Sequence, residues 1–415
     1  MKKLLLLISI IQITLLQGQV KFATDPIKDS IRFMSNSVVR DYYTEIEFID
    51  EENYVIRKRK LVTVLNRRGI EEGNFVLADN ERAKFKFKEA KTSNADGITL
   101  RVFTENDIYK SKLVNISEEV LENLNFYSLK MNEDVFPYNT YFDYEMIING
   151  TLKIDDWVPN PSSNSGLENA ELKIILKPEM QINIKINGNI KQMKNDSSKR
   201  SKYYYWKALP QKSRVQEDTA FIIPSLRMTL TKFKLLGSTG SFNSWQSFGN
   251  WIVTLNEGLY ALPADLEKMV SDTVAKYNSD SLIIQALYSY IQKEYRYVSI
   301  QLGIGGWKPQ SNEFTFKKGI GDCKALSLMM KSLLDKAGIE SYYCLASMKR
   351  EKEIIYQDFP ENRFNHVMIC AILNGKNHWI ECTSKDLIAG QSSLFCKGTY
   401  SLIVSKDNSK LLKID

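Results

Sequence analysis

Gly319-Ile320-Gly321-Asp322-Cys323-Lys324 is the stretch that decides the reading of this chain. Two glycines and an aspartate stand directly before a cysteine. After it, Ala325, Leu326, Leu328, Met329, Leu333, Leu334 and Ala337 fall mostly on one helical stripe, and Gly338 follows as a stop. Asp322 is a good N-cap type, so the pattern predicts Cys323 in the first turn of a buried helix, just after a glycine-rich loop. A helix N-terminus favours a thiolate, which is the nucleophilic form of cysteine. Taken alone, a cysteine in such a place is more often a packing residue. A histidine further along the chain changes that balance.

That histidine lies in Phe364-Asn365-His366-Val367-Met368-Ile369-Cys370-Ala371-Ile372-Leu373, an apolar strand by composition. Asn374-Gly375 reads as a two-residue hairpin turn, and His378-Trp379-Ile380-Glu381-Cys382-Thr383 as the returning strand. With that turn, Leu373 pairs with Lys376, Met368 opposes Glu381, and His366 opposes Thr383. Alternation then puts His366 and Glu381 on one face as diagonal neighbours, ~7–8 Å apart at the backbone. A three-residue loop would put them on opposite faces. Singly, His366 reads as a satisfied core histidine and Glu381 as a solvated carboxylate. Together with Cys323 they make the base and the orienting group of a Cys-His-acid set. His378, beside the turn, reads as a surface residue.

Upstream the pattern is mostly β from Ser37 to Leu209. Tyr42 to Leu65 is strand-like and Asn66-Arg67-Arg68-Gly69 looks like a hairpin turn. Asn94-Ala95-Asp96-Gly97 is a second turn, before Ile98 to Phe103. Gln181 to Ile186 has strict period two, with Asn187-Gly188 as a further hairpin signal, and Tyr203 to Trp206 reads as another strand. Repeated short strands and turns predict a β-sandwich or a pair of sheets. Residues 236–262, opening on Gly237-Ser238-Thr239-Gly240-Ser241, read as a linker. Helices are expected near Pro263–Asn278 and after Ser279.

Length and composition set bounds. The chain has 415 residues, enough for two or three domains. Its formal charge of +7 comes from lysines interleaved with acids, which does not describe a nucleic-acid surface. Lys2-Lys3, an apolar run from Leu4 to Leu16, and Gln17-Gly18-Gln19 read as a secretory signal peptide over 1–19. No later run reaches membrane-spanning length, so an exported chain, periplasmic or extracellular, is expected. All five cysteines (Cys323, Cys344, Cys370, Cys382, Cys396) lie in the last quarter; the number is odd and no CxxC occurs. With only two histidines, a zinc site is not expected, and neither is any other cofactor. Gly303-Ile304-Gly305-Gly306 is followed by no GKS or GKT, which sets nucleotide binding aside.

The pieces Gly321-Asp322-Cys323-Lys324, Phe364-Asn365-His366 and Trp379-Ile380-Glu381-Cys382-Thr383-Ser384 resemble the bacterial transglutaminase-like superfamily. Arg296 to Trp307 and Asp156-Trp157-Val158-Pro159 resemble chains in which such a core follows the β-rich domain of unknown function 3857. The resemblance implies an α+β protein. Its parts are a leader (1–19), an N-terminal linker (20–36), a β-sandwich-like domain (37–235), a linker (236–262) and a papain-like transglutaminase core (263–415). It implies Cys323 as nucleophile, His366 as general base and then acid, and Glu381 where the superfamily commonly has aspartate. Backbone N–H groups at Cys323 would contribute to an oxyanion hole. Trp307 is the remaining candidate, as an indole donor in that hole or a substrate contact, or as packing. Longer relatives carry a further β domain, which is not expected before Asp415. The implied activity is acyl transfer at peptide or protein amides, by hydrolysis or by cross-linking. The other function considered is a catalytically silent binding or scaffold protein of the envelope, partnered through its β domain.

Overall fold

The computed structural model describes residues 25–80, 82–113, 124–214, 223–348, 354–391 and 393–415. The expected leader, 1–19, lies outside these residues, as do 20–24 and part of the polar stretch 350–362. Among the described residues, no helix is long and apolar enough to cross a membrane.

The N-terminal half is built from strands. After a single helical turn, α1 (Asp29–Arg32), strands β1 (Ser37–Phe48) and β2 (Asn53–Val64) form a long hairpin. Asp50 fixes its turn by accepting the N–H groups of Glu52 and Asn53 at 2.8 and 2.7 Å. Asn66–Gly69, expected as a hairpin turn, is instead a 3-10 turn running into α2 (Ile70–Gly73). The Asn66 side chain accepts the N–H of Arg68 at 2.9 Å, and Gly69 lies so close to the Asn36 carbonyl that a Cβ would sit 2.1 Å from its oxygen. The chain is thereby drawn across the end of the hairpin into a different sheet.

There follow β3 (Phe75–Asn80), β4 (Ala83–Asn94), β5 (Thr99–Phe103), β6 (Tyr109–Leu113), β7 (Leu124–Leu129), β8 (Tyr138–Asn149), β9 (Ser165–Leu167), β10 (Ala170–Leu176), β11 (Ile182–Asn187), β12 (Ile190–Ser197), β13 (Lys202–Ala208) and β14 (Ser225–Leu230). The large sheet has the order β12-β13-β10-β1-β2-β8-β4-β5, with β9 parallel to β1. Two small sheets, β3-β7-β6 and β11-β14, cover it. Phe142, Tyr144 and Met146 alternate on one side of β8 and meet both apolar clusters, so both small sheets lie on the same face. The other face carries charge: Arg57 bridges Glu45, Glu47 and Glu145. This is the polar-out alternation of a half-buried sheet.

The Asn187-Gly188 turn exists, with Gly188 at φ 72°, but it does not close a hairpin. β11 pairs with β14 while β12 pairs with β13, so the turn carries the chain between layers. Ile182 and Ile184 pack on the apolar cluster of the large sheet, a burial that pairing in one plane would not supply.

The C-terminal half is mixed. Its antiparallel sheet has the order β21 (Lys376–Ile380), β20 (His366–Leu373), β19 (Ser341–Ala346), β22 (Tyr400–Val404), β23 (Lys410–Lys413). Helix α7 (Cys323–Lys336) packs on β19 and β20, backed by α4 (Ala264–Lys276), α5 (Asp280–Glu294) and α6 (Asn312–Lys318). Residues 236–262, expected as a linker, hold strand β16 (Ser238–Ser241), paired with β15 (Lys232–Leu235), and the twelve-residue helix α3 (Trp245–Asn256). Ser244 caps α3, and Trp245, Phe248 and Trp251 bury in the same cluster as α7. The apolar period inside 245–256 outweighs the loop-like composition before it. Leu152, Phe233 and Leu235 join that cluster too, so the two halves share a core.

Candidate functional site

Helix α7 starts where the sequence places its start. Gly319 ends α6 in the left-handed region at φ 64°. Strand pairs β17 (Arg296–Tyr297) and β18 (Ile320–Gly321) then hold the approach, with the Arg296 and Val298 N–H groups donating to the Gly319 and Gly321 carbonyls at 2.9 and 3.0 Å. The Asp322 carboxylate accepts the Ala325 N–H at 3.0 Å, capping the helix. Cys323 is its first residue and is 4% exposed. Lys324 folds back to pair with Asp322 and donates to the Ile300 carbonyl at 3.4 Å. Both members of this pair are buried.

The hairpin has the register derived from its turn. Leu373 faces Lys376 and Ile369 faces Ile380, with Asn374 and Gly375 at φ 51° and 73° as a type I′ turn requires. His366 opens β20 and Glu381 follows β21 by one residue. Glu381 Oε2 lies 2.7 Å from His366 Nε2. Its Oε1 accepts the Thr383 N–H at 3.1 Å and the Thr383 hydroxyl at 2.7 Å. The carboxylate is thus held from both ends. The Cys323 thiol lies near enough to the His366 ring to act on its charge.

These contacts set the charge state of His366. Burial alone would lower its pKa, but Cys323 and Glu381 beside it outweigh burial and raise it to about 10. Burial pushes the Glu381 carboxyl up, and the bonds from His366 and Thr383 bring it below its ordinary range. The other four cysteines are free and buried. Burial raises Cys344, Cys370, Cys382 and Cys396, with Cys370 and Cys396 each pushed up to about 12.

Cys323 and His366 open onto a cleft of about 450 Å³. Trp307 forms part of its wall, its ring 5.8 Å from that of Trp251. Gln301 also lines the cleft, with its amide donating to Ser299 Oγ at 3.3 Å. Sequence reasoning passed over Gln301, although it stands inside the quoted stretch 296–307. It also passed over Arg82, which reaches the cleft from the β-rich half. His378 is half-buried in β21, outside the cleft lining. Residues 354–362 do not fill the cleft either. They turn to the β-rich half, where Arg227 donates to the Ile354 carbonyl at 2.7 Å and pairs with Glu361 at 2.7 Å. Arg363 pairs with Glu361 at 2.7 Å and with Asp156. This four-charge cluster anchors the segment that delivers His366. No cluster of ligands for a metal occurs among the described residues.

No family model matches the chain, and no curated protein matches its sequence. Among solved structures, a proposed protease from Parabacteroides distasonis aligns with 92% of this chain and 72% of its own length, at TM-score 0.64 and 12% identity. The two share a fold. A proposed cysteine protease from Cytophaga hutchinsonii aligns with 88% of this chain and 86% of its own length, at TM-score 0.24 and 10% identity. An M1 zinc metallopeptidase from Deinococcus radiodurans covers 54% of each chain at TM-score 0.23 and 6% identity. Those two overlaps add nothing to the fold. The chain is therefore a mixed α+β protein with a β-rich N-terminal half, sharing its fold with a proposed protease.

Proposed function

We propose that this protein is an exported cysteine enzyme of the transglutaminase-like type that breaks amide bonds through an acyl-thioester. The observation that carries the reading is that Cys323 and His366 line one cleft, with His366 Nε2 at 2.7 Å from Glu381. Glu381 accepts the Nε2 proton, which leaves Nδ1 to take the proton of Cys323. The sulfur attacks the amide carbon and an S–C bond forms. The C–N bond breaks as the imidazolium returns the proton to the departing nitrogen. Water, or an amine in a cross-linking reaction, then gives a proton to His366, attacks the thioester and releases the thiolate. The Gln301 amide and the Cys323 N–H are the donors proposed for the carbonyl oxygen, with Trp307 shaping the wall. The β-rich half takes the part of the domain of unknown function 3857, and the leader over 1–19 directs export. The start of the β-rich domain at 37 belongs to the same reading.

The test is alkylation by iodoacetamide across a pH series, with each cysteine mapped by mass spectrometry. Cys323 is expected to react alone in the native protein, while Cys344, Cys370, Cys382 and Cys396 react only on unfolding. His366→Ala should slow Cys323 at least tenfold near neutral pH, roughly the contribution of one positioned base. A native Cys323 no faster than the other four would refute the enzyme and favour the scaffold.

A further inference from the structure

The inner face of the large sheet carries two cations where its pattern calls for apolar side chains. On β2, Tyr54, Ile56, Val62 and Val64 are buried in the apolar cluster of that face. Alternation puts Lys58 and Lys60 on the same face, between Ile56 and Val62 and about 7 Å apart. The register gives their neighbours. Lys58 stands between Thr44 of β1 and Tyr144 of β8, and Lys60 between Tyr42 and Phe142 of the same two strands. Leu172 and Phe87 continue the first of these rows outward.

Burial marks an opening over this group. Ile46, Ile56, Val62, Phe142 and Met146 lie around it on the same face and are at most 8% exposed. Tyr42, Lys58, Lys60 and Tyr144 are each half-buried. These four adjoin one another, so the covering layer leaves a crevice at this one place. Tyr144 packs against both apolar clusters, the one under β11-β14 and the one under β3-β7-β6, which sets the crevice at the seam of the two covering sheets.

The crevice is electropositive. Among the described residues neither ammonium forms an ion pair. Asp155 acts on Lys58, and Glu72 on Lys60, from farther off, and Glu72 already accepts the Ser162 hydroxyl at 2.8 Å. Burial and the charge of Lys58 hold the Lys60 ammonium below its ordinary pKa, against the pull of Tyr42 and Glu72. Burial alone would raise the Tyr42 hydroxyl, but the charge of Lys58, the neighbouring Thr44 and the charge of Lys60 hold it below its ordinary value. A desolvated ammonium without a counter-charge is costly, and an oxyanion placed between the two lysines offsets that cost. Apolar surroundings with a few fixed polar groups suit a ligand that is itself divided in this way.

We propose that this crevice binds an amphiphile by its anionic head, a carboxylate or a phosphate, held by Lys58 and Lys60 with its apolar body against the aromatic and aliphatic side chains around them. The site belongs to the β-rich half and does not depend on the chemistry at Cys323.

The test uses the full chain in low salt and four probes: octanoate, octyl phosphate, octanol and inorganic phosphate. Affinities are read by isothermal titration calorimetry. The wild type should bind octanoate or octyl phosphate at least about tenfold more tightly than octanol, the effect of one charge-assisted contact. It should also bind octyl phosphate more tightly than inorganic phosphate. Lys58→Met combined with Lys60→Met should bring the anionic probes to within about threefold of octanol, under half a decade. Lys60→Arg should keep most of the wild-type preference, and added salt should shrink it. A wild type that binds none of the probes, or binds octanol as tightly as octanoate and octyl phosphate, overturns the proposal. So does a ratio unchanged in the double variant, including the case where all affinities fall together and the lysines serve folding. Inorganic phosphate bound as tightly as octyl phosphate overturns the amphiphile in favour of a free anion.

Discussion

Glu381→Gln is the change that interrogates the site most directly. It preserves volume and removes one charge. In the native site Oε1 accepts two bonds from Thr383 while Oε2 faces His366 Nε2. A glutamine that keeps its oxygen toward Thr383 must turn its NH₂ toward Nε2. Nε2 then becomes an acceptor, the ring proton moves to Nδ1, and the ring cannot take a proton from Cys323. The flipped amide sets NH₂ against the Thr383 N–H, donor against donor, at a cost of about 1–3 kcal/mol. Both arrangements also forfeit the charge-assisted bond to the imidazolium, about 2 kcal/mol. That is roughly a thirtyfold fall in the thiolate–imidazolium pair, at 1.36 kcal/mol per decade. The assay is the second-order rate of Cys323 alkylation by iodoacetamide near pH 6.5, roughly the ordinary histidine value, with Glu381→Asp as comparator. A thirtyfold or larger loss in Glu381→Gln is expected, and a smaller one in the aspartate variant, whose shorter arm weakens the contact without reversing the tautomer. A Glu381→Gln rate within about threefold of wild type, under half a decade, would refute the argument from tautomers and leave Glu381 a structural residue.

The same pair makes stability depend on pH. The His366 pKa is raised in the folded state from 6.5 to about 10, so its contribution is complete below 6.5 and is lost as pH rises through about 10. Glu381 is held below its ordinary 4.5, so its contribution is present above 4.5 and lost as pH falls through the lowered value. The Tm difference between wild type and His366→Gln should therefore peak between 4.5 and 6.5 and shrink on either side, as read by thermal melts. A difference that grows toward alkaline pH would contradict the sign. Arg227→Met leaves Glu361 buried with Arg363 alone, although burial already pushes that carboxyl up. Urea unfolding should show a loss of about 3–5 kcal/mol, the usual result of removing one member of a buried pair, and under ~1 kcal/mol would show the cluster to be solvated. Gly249→Ala puts a Cβ 2.0 Å from Ser409 Oγ, between α3 and the turn after β22, and should cost about 1–3 kcal/mol by overpacking. A melting temperature equal to wild type would mean that the turn yields.

What the sequence disclosed follows the range of the forces involved. The hairpin register was legible because Asn374-Gly375 fixes it locally, and alternation carries that register eight residues back to His366 and six on to Glu381. The start of α7 was legible because Asp322 caps it with its own side chain. Asn66–Gly69 and Asn187–Gly188 carried turn composition correctly and topology wrongly, since composition bends a chain but does not choose its next partner strand. The Arg227–Glu361 pair spans 134 residues and Arg82 enters a cleft formed mostly by the other half. Neither leaves a local pattern, because each is created by docking. Residues 236–262 read as a linker from the loop-like composition of 237–241, while the aromatic period of α3 within them held the contrary signal.

The shared core bears on how such a chain can be inherited. Phe233 and Leu235 lie in one cluster with α3 and α7, and Arg227 and Asp156 neutralise charges that sit just before β20. A fragment beginning at 263 would shed α3, uncover an apolar wall, and strand Glu361 with half its counter-charge. A fragment ending at 235 would expose Phe233 and Leu235. Recombination at such a boundary would therefore yield two insoluble pieces where a beads-on-a-string protein would yield two working ones. Substitutions at Asp156 or Arg227 should be tolerated only with compensation at Glu361 or Arg363, so the two halves are expected to drift together as one evolutionary unit.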